Sequence, residues 1–311
     1  MYAVIRKELA DHFSSKRFTI LFGLVFLSAM FAIYIAIQNI RGAVSPTSDY
    51  VFLRLFTTSG SNLPSFLFFL SLFIPIVGIA LGFDAINNER QTGNLSRLIA
   101  QPIYRDAVIN GKFLAGLTVF SLMILSVVLI VAGLGLRIVG VPPSGEEVVR
   151  ILAFAFVSII YGGFWMALAV LFSVFFQRTA TSMLASLAVW IFLFFFMAVI
   201  AGAVANAVAP VDSNSTIAEI ARNANLEMAL SRISPSTLYG EATLGLLTPE
   251  LGTMNTSLMV ISSYSGRMST PLPLQESLLL VWPQIVTIIA LCAVAFGISY
   301  IRFMREEIRS I

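Results

Sequence analysis

Residues 84–112 read DAINNERQTGNLSRLIAQPIYRDAVINGK. The segment carries four basic residues, a Gly-Asn pair and a proline, and it separates two apolar runs, Leu63–Phe83 and Phe113–Arg137. Either run can cross a bilayer core of roughly 30 Å as a helix, which takes about 20 residues. The segment is therefore a loop between two spans, and the rest of the chain can be laid out from it.

Of the 311 residues, 58% are hydrophobic and only 11% are charged, with a mean hydropathy of +0.91. Soluble domains carry about 25% charged residues, so the composition indicates an integral membrane protein. Six runs are long enough to span: Phe18–Gln38, Leu63–Phe83, Phe113–Arg137, Ile151–Phe176, Ala180–Ala209 and Ser277–Ile301. None keeps the alternation of a barrel strand. The expected fold is an all-α membrane protein with six transmembrane helices. One cysteine, Cys292, excludes an intrachain disulfide, and one histidine, His12, excludes a metal site built from several imidazoles.

Lysine and arginine set the orientation. Both termini, residues 84–112 and the turn at Arg178 hold 12 of them, against 7 on the opposite side over longer loops, Arg150 before the fourth span among them. Both termini and the opening loop are thus expected in the cytosol. Residues 1–17 are too long and too charged for a cleavable signal. Ile5, Leu9 and Phe13 share one helical face there, which predicts an amphipathic helix lying in the membrane interface. Residues 18–209 hold five spans, and residues 277–311 hold the sixth and a cytosolic tail. Between them, residues 210–276 form an external element with six acidic residues and three arginines. Leu226, Ala229, Leu230 and Ile233 keep helical spacing, Pro235 can end that helix, and a second short amphipathic piece can run from Ser236 to Leu247. This predicts a small helical domain capping the outer face.

No Asp, Glu, Lys, Arg or His lies in the interior of a predicted span. Ion-coupled transporters need such groups at depth to bind and release the coupling ion. Gly78 and Gly82 make a GxxxG that permits close helix contact, as do Ala198 and Gly202.

Within 84–112, the second span is expected to continue as helix through Asp84–Gln91; Gly93 suits the left-handed residue that ends that helix and Asn94 suits the N-cap of the next. Leu95, Leu98 and Ile99 share one face, and Pro102 stops the helix after about two turns. A third helix starts near Tyr104–Asp106. A short helix with an apolar face and a polar rim, held across the membrane normal, suits docking by a partner protein; the alternative is a helix lying on the lipid headgroups.

The pattern Glu89-Arg90, Gly93-Asn94-Leu95, Leu98, Gln101-Pro102, Arg105 and Gly111-Lys112 resembles the loop between the second and third spans of ABC exporter permeases of the second type (ABC-2). Asn94 stands where that family commonly has threonine. Ile5-Arg6-Lys7-Glu8-Leu9 resembles the family's opening helix, and six spans with a large loop before the last also fit. The subgroup is similar to the permease of nitrous-oxide-reductase maturation. The resemblance implies a permease subunit, without catalytic residues of its own, that pairs with a second copy or a homologous permease and with two ABC ATPase subunits. ATP and magnesium would be bound by those subunits. This chain has no GxxxxGK[ST] and implies no cofactor, metal or nucleic acid. The implied docking residues are Leu95, Leu98 and Ile99 as the face, Glu89, Arg90, Arg97 and Arg105 as its polar rim, and Gly93, Asn94 and Pro102 for its geometry, together with Gln101. The expected setting is a prokaryotic plasma membrane, with export of an amphipathic or lipid-like cargo. The rival readings are an ATP-independent secondary transporter or channel, and a membrane scaffold holding an external partner through residues 210–276.

Overall fold

The computed structural model describes residues 1–43, 50, 52–58, 65–93, 104–140, 142–212, 215–249 and 272–305. Among these the regular structure is entirely helical. Helix α1 covers Tyr2–Ser14 and α2 Lys16–Ala43, separated by the single extended residue Ser15. A short α3 (Arg54–Thr57) precedes α4 (Phe66–Gly82) and α5 (Asn87–Gln91). Then come α6 (Arg105–Val139), α7 (Gly145–Phe175), α8 (Thr179–Val208), α9 (Ile217–Ser231), α10 (Pro235–Leu247) and α11 (Leu274–Arg305). Six segments are long and apolar enough to cross a membrane: Lys16–Ala36, Phe66–Gln91, Arg105–Arg137, Gly145–Phe175, Thr179–Val208 and Leu274–Arg305. They coincide with the six runs read from the sequence.

The hub is α7, which packs against α4, α6, α10 and α11. Small residues set how closely its neighbours approach. A Cβ on Gly78 would stand 2.6 Å from the Gly162 carbonyl oxygen, and one on Gly82 2.6 Å from that of Met166. The GxxxG of α4 is therefore consumed within the chain, against α7. Gly202 likewise faces the Glu227 side chain of α9. The start of α7 is fixed by a capping box. Ser144 Oγ accepts from the Glu147 N–H, and Glu147 Oε2 accepts from the Ser144 N–H. Glu147 Oε1 also accepts from the Phe52 N–H, tying the segment before α3 to the same end.

One expectation needs correction. The second apolar run does not continue as one helix to Gln91. It stops at Gly82, turns over Phe83–Ile86 and resumes as α5. The buried Ser173 hydroxyl of α7 accepts from both the Ile86 and Asn87 N–H groups. That replaces partners which the interrupted ladder no longer supplies.

The described part of 210–276 holds α9, α10 and the start of α11. Pro235 opens α10 at its first position, where a missing N–H costs nothing, rather than closing α9. α9 runs back along the end of α8: Asn223 Nδ2 donates to Asn206 Oδ1 (2.9 Å) and to the Ala209 carbonyl (2.6 Å). α10 then climbs antiparallel to α7. Tyr161 OH meets Ser236 Oγ at 2.8 Å midway along α7, and Arg150 near its start reaches the Leu246 carbonyl. The Tyr161 and Tyr239 rings stack at 4.3 Å, and Tyr239 OH meets Ser158 Oγ at 2.9 Å. Leu238, Tyr239, Ala242 and Leu246 are buried among α4, α7 and α11. Next to α10, α8 widens to a π-helical turn over Phe192–Phe196.

Charge is buried in the bundle both on α10 and on the spanning helix α7. Glu241 of α10 is buried, accepts from Gln284 Nε2 of α11 at 2.8 Å and pairs with Arg232 at 3.0 Å. Arg150, read as a loop residue before the fourth span, is fully buried in α7. It donates to Glu146 Oε1, the Leu246 and Leu272 carbonyls and Ser277 Oγ, and lies 5.6 Å over the Tyr50 ring. An arginine with so many donors engaged is a closed structural clasp.

Candidate functional site at the terminal end of the bundle

The N-terminal helix, the start of α6, the end of α7 and the end of α11 all meet at one end of the bundle. Ile86, Ile109, Val174 and Phe303 form a buried apolar cluster there. The described flanks of the loop quoted at the outset are α5 and the start of α6.

α5 is pinned to the end of α7. Arg90 donates to the Val174 carbonyl at 3.1 Å, and Gln91 Nε2 to that of Gln177 at 3.0 Å. The fully buried Asn87 donates through Nδ2 to the Phe83 carbonyl. Gly93 closes the helix with φ +69° and open space where a Cβ would stand, so the left-handed conformation is what selects glycine there. Arg105 is half-buried in the first turn of α6. Asn94, Leu95, Arg97, Leu98, Ile99, Gln101 and Pro102 lie outside the described residues.

Glu89 sits differently from a rim residue. Its side chain is only 11% exposed, and it points inward. Lys112 Nζ donates to Glu89 Oε1 at 3.0 Å and to Glu8 Oε1 at 2.8 Å, and the Lys112 side chain is 9% exposed. Lys7 lies 3.4 Å from Glu8 and 3.8 Å from Glu89. One ammonium thus joins carboxylates from α1 and α5 to the start of α6. Gly111 explains how α1 comes so close: a Cβ there would stand 2.8 Å from Val4 Cγ1. The Gly-Lys pair therefore does two adjacent jobs, seating Val4 and pairing Glu8. A second tie joins Arg17 of α2 to Asp84 in the turn after α4, with the guanidinium 5.3 Å over the Phe83 ring.

The electrostatics follow from this crowding. Burial alone pushes the Glu8 carboxyl up, but Lys112 and Lys7 outweigh it and hold the group below its ordinary value. Burial pulls the Lys7 ammonium down, and Glu8, Glu89 and Asp11 together raise it above the ordinary value. Burial lowers His12 below its usual range despite nearby carboxylates, so it stays neutral at pH 7.

The network thus gathers Glu89 from the expected site with Glu8 and Lys112, which the docking reading left out. Both belong to stretches already singled out by resemblance, Ile5–Leu9 and Gly111-Lys112. Ser173 carried no such signal, because a lone serine near the end of a span reads as ordinary.

Six membrane-length apolar helices, with a short helical exit and re-entry tied to the N-terminal helix, define a multi-pass membrane protein whose terminal face is built around one loop. The chain belongs to the ABC-2 family of transporter proteins, and the family match runs from residue 2 to residue 308. Members of this family are transport subunits rather than catalysts, and they typically work with ABC ATPase subunits. No curated protein matches the sequence.

Proposed function

We propose that the chain is the permease subunit of an ATP-binding-cassette exporter in a prokaryotic plasma membrane, with both termini cytosolic, acting as a dimer with two separate ATPase subunits. Residues 94–103 form the coupling element. Leu95, Leu98 and Ile99 are its docking face, Arg97 and Arg105 belong to its rim, and Gly93, Asn94 and Pro102 set its geometry. The observation that carries this reading is the convergence of Glu8, Glu89 and Lys112. Both chain exits of the coupling segment are fastened to α1 through one ammonium. A push on the segment is therefore delivered to α1, α4 and α6 together. Glu89 acts as a positioning residue for the segment, and Arg90 holds α5 on α7. The cargo is amphipathic or lipid-like, as suits a bundle of aliphatic and aromatic faces.

Gentle purification from the host should bring an ABC ATPase with the chain. Leu98→Asp should abolish that association while the permease remains monodisperse and helical by circular dichroism. Absence of any ATPase in the native preparation and in cross-linked membranes would favour an ATP-independent transporter instead. ATPase association that survives Leu98→Asp would move the docking face elsewhere.

A further inference from the structure

The turn between α9 and α10 lies deep in the bundle. Ser236, at the start of α10, meets Tyr161 halfway along the 31-residue α7. At 1.5 Å per residue this is roughly 20 Å or more from either end of α7. It is close to the middle of an apolar layer of about 30 Å. Glu241 follows about 9 Å further along α10, still within that layer. Arg232 belongs to the turn and reaches Glu241. Charged side chains at such depth are costly, and they mark substrate pathways more often than scaffolding.

Arg232 is held by one edge only. Its Nε donates to both Glu241 oxygens at 3.0 Å, and Gln284 Nε2 fixes that carboxylate at 2.8 Å. Glu241 and Gln284 are both buried, whereas the Arg232 side chain is 42% exposed. Its two Nη groups have no partner among the described residues, and they leave the buried Gln284 Oε1 without a donor. Two residues on, Ser234 stands at the N-cap position of α10 without capping it, and its buried hydroxyl is also unpartnered. The surroundings are apolar. Ile233 is exposed at the turn, and the π-helical turn of α8 beside α10 exposes Phe192, Phe195 and Phe196.

A guanidinium anchored through Nε keeps its other edge free, and the two parallel N–H groups there match a carboxylate or phosphate. We propose that Arg232 binds the oxyanion of an amphiphile, carboxylate or phosphate, whose apolar chain lies against α8. Glu241 and Gln284 are positioning residues that aim the fork. The proposal rests on the reading of the cargo as amphipathic and adds that its polar end is an anion. Binding needs no ATPase, so its failure would leave the exporter reading, which ATPase association tests, untouched.

The test uses the full chain in a neutral detergent, with native mass spectrometry during titration by oleate, oleoyl lysophosphatidate or methyl oleate. The three share one chain, and only the ester lacks the anion. Both anions should bind at least tenfold more tightly than the ester. Arg232→Gln should erase that preference, as should Arg232→Gln with Glu241→Gln, which leaves no buried charge unpaired. Arg222→Gln, at an exposed position on the same helix, should retain it. Inorganic phosphate at millimolar concentration should not displace oleate, since it lacks the chain. Equal binding of the ester overturns the proposal, as does a preference that survives in the folded double variant. An equal loss in Arg222→Gln overturns it in favour of general surface charge. Displacement by inorganic phosphate overturns the amphiphile as the source of the oxyanion.

Discussion

The two ends of the bundle are built on opposite principles. At the end opposite the termini, α10 is held by stacked tyrosines, hydroxyl pairs and the Arg150 clasp, all buried against α7. At the terminal end, α1 and α5 are held by ion pairs beside a cavity, next to the smaller Ile86–Ile109–Val174–Phe303 cluster and the contact of Val4 with Gly111. Close-packed and satisfied contacts resist small displacement, because each lost contact or orphaned polar group has a cost. Ion pairs with long side chains beside open space tolerate a shift of an ångström or two. Under the proposed function, the close-packed end supplies stability and the ion-paired end is the one that transmits motion.

The largest effect is expected at Arg150. Arg150→Met keeps the bulk but leaves the Leu246 and Leu272 carbonyls and Ser277 without their donor. Buried groups left unsatisfied cost of order 1–3 kcal/mol each, so thermal unfolding in detergent should fall by many degrees. A variant as stable as the parent would remove the clasp from the account. Gly82→Leu comes next. Its side chain would enter the Met166 carbonyl and Val170 backbone, and overpacking of this kind costs roughly 1–3 kcal/mol. Normal stability there would show that α4 and α7 can separate freely, against the close-packed picture. Tyr239→Phe removes one hydroxyl pair with Ser158 and should cost about 1 kcal/mol, read by the same thermal assay. A loss several times larger would mean that the seat of α10 depends on that pair alone rather than on distributed packing.

The terminal end should be the one that responds to pH. His12 takes up a proton less readily when packed, so acid favours the undocked α1 as pH falls through its ordinary value near 6.5. The lowered Glu8 carboxyl contributes stability that is fully present above about 4.5 and is lost as pH falls through its lowered value. The raised Lys7 contributes below its ordinary 10.5 and is lost as pH rises beyond it. Docking of α1 should therefore be strongest between the ordinary histidine and lysine ranges. Spin labels at the exposed positions Ala10 and Tyr104 should give one narrow distance distribution at pH 8 and a broader one at pH 5.5. An unchanged distribution would place the responsive element elsewhere.

Hydropathy alone made the six spans legible, because bilayer thickness converts directly into run length. Gly93 was legible for a local reason, since a left-handed residue at a helix end selects glycine. The interruption at Phe83–Ile86 was not, because its warrant is Ser173, nearly ninety positions away. The buried seat of α10 was hidden for a similar reason. Ser236, Glu241 and Thr243 read as solvent-facing until Tyr161, Gln284 and the backbone of α10 itself are known to satisfy them. Arg150 is the same case, a charge that local composition places outside and that long-range partners draw in. Residues 94–103, the core of the expected docking site, are legible as sequence only. What the fold adds is how their two flanks are held.

The most direct measurement reads the coupling itself, without a cargo. Spin labels on α2 and α8 in the permease–ATPase assembly should change separation when the ATPase is trapped with ATP and vanadate. Lys112→Glu should abolish that change while leaving ATPase association intact. Adding Glu8→Lys to Lys112→Glu restores one ammonium among two carboxylates, and it should restore the change. A full response in Lys112→Glu alone would contradict the account, as would a folded, assembled double variant that stays unresponsive.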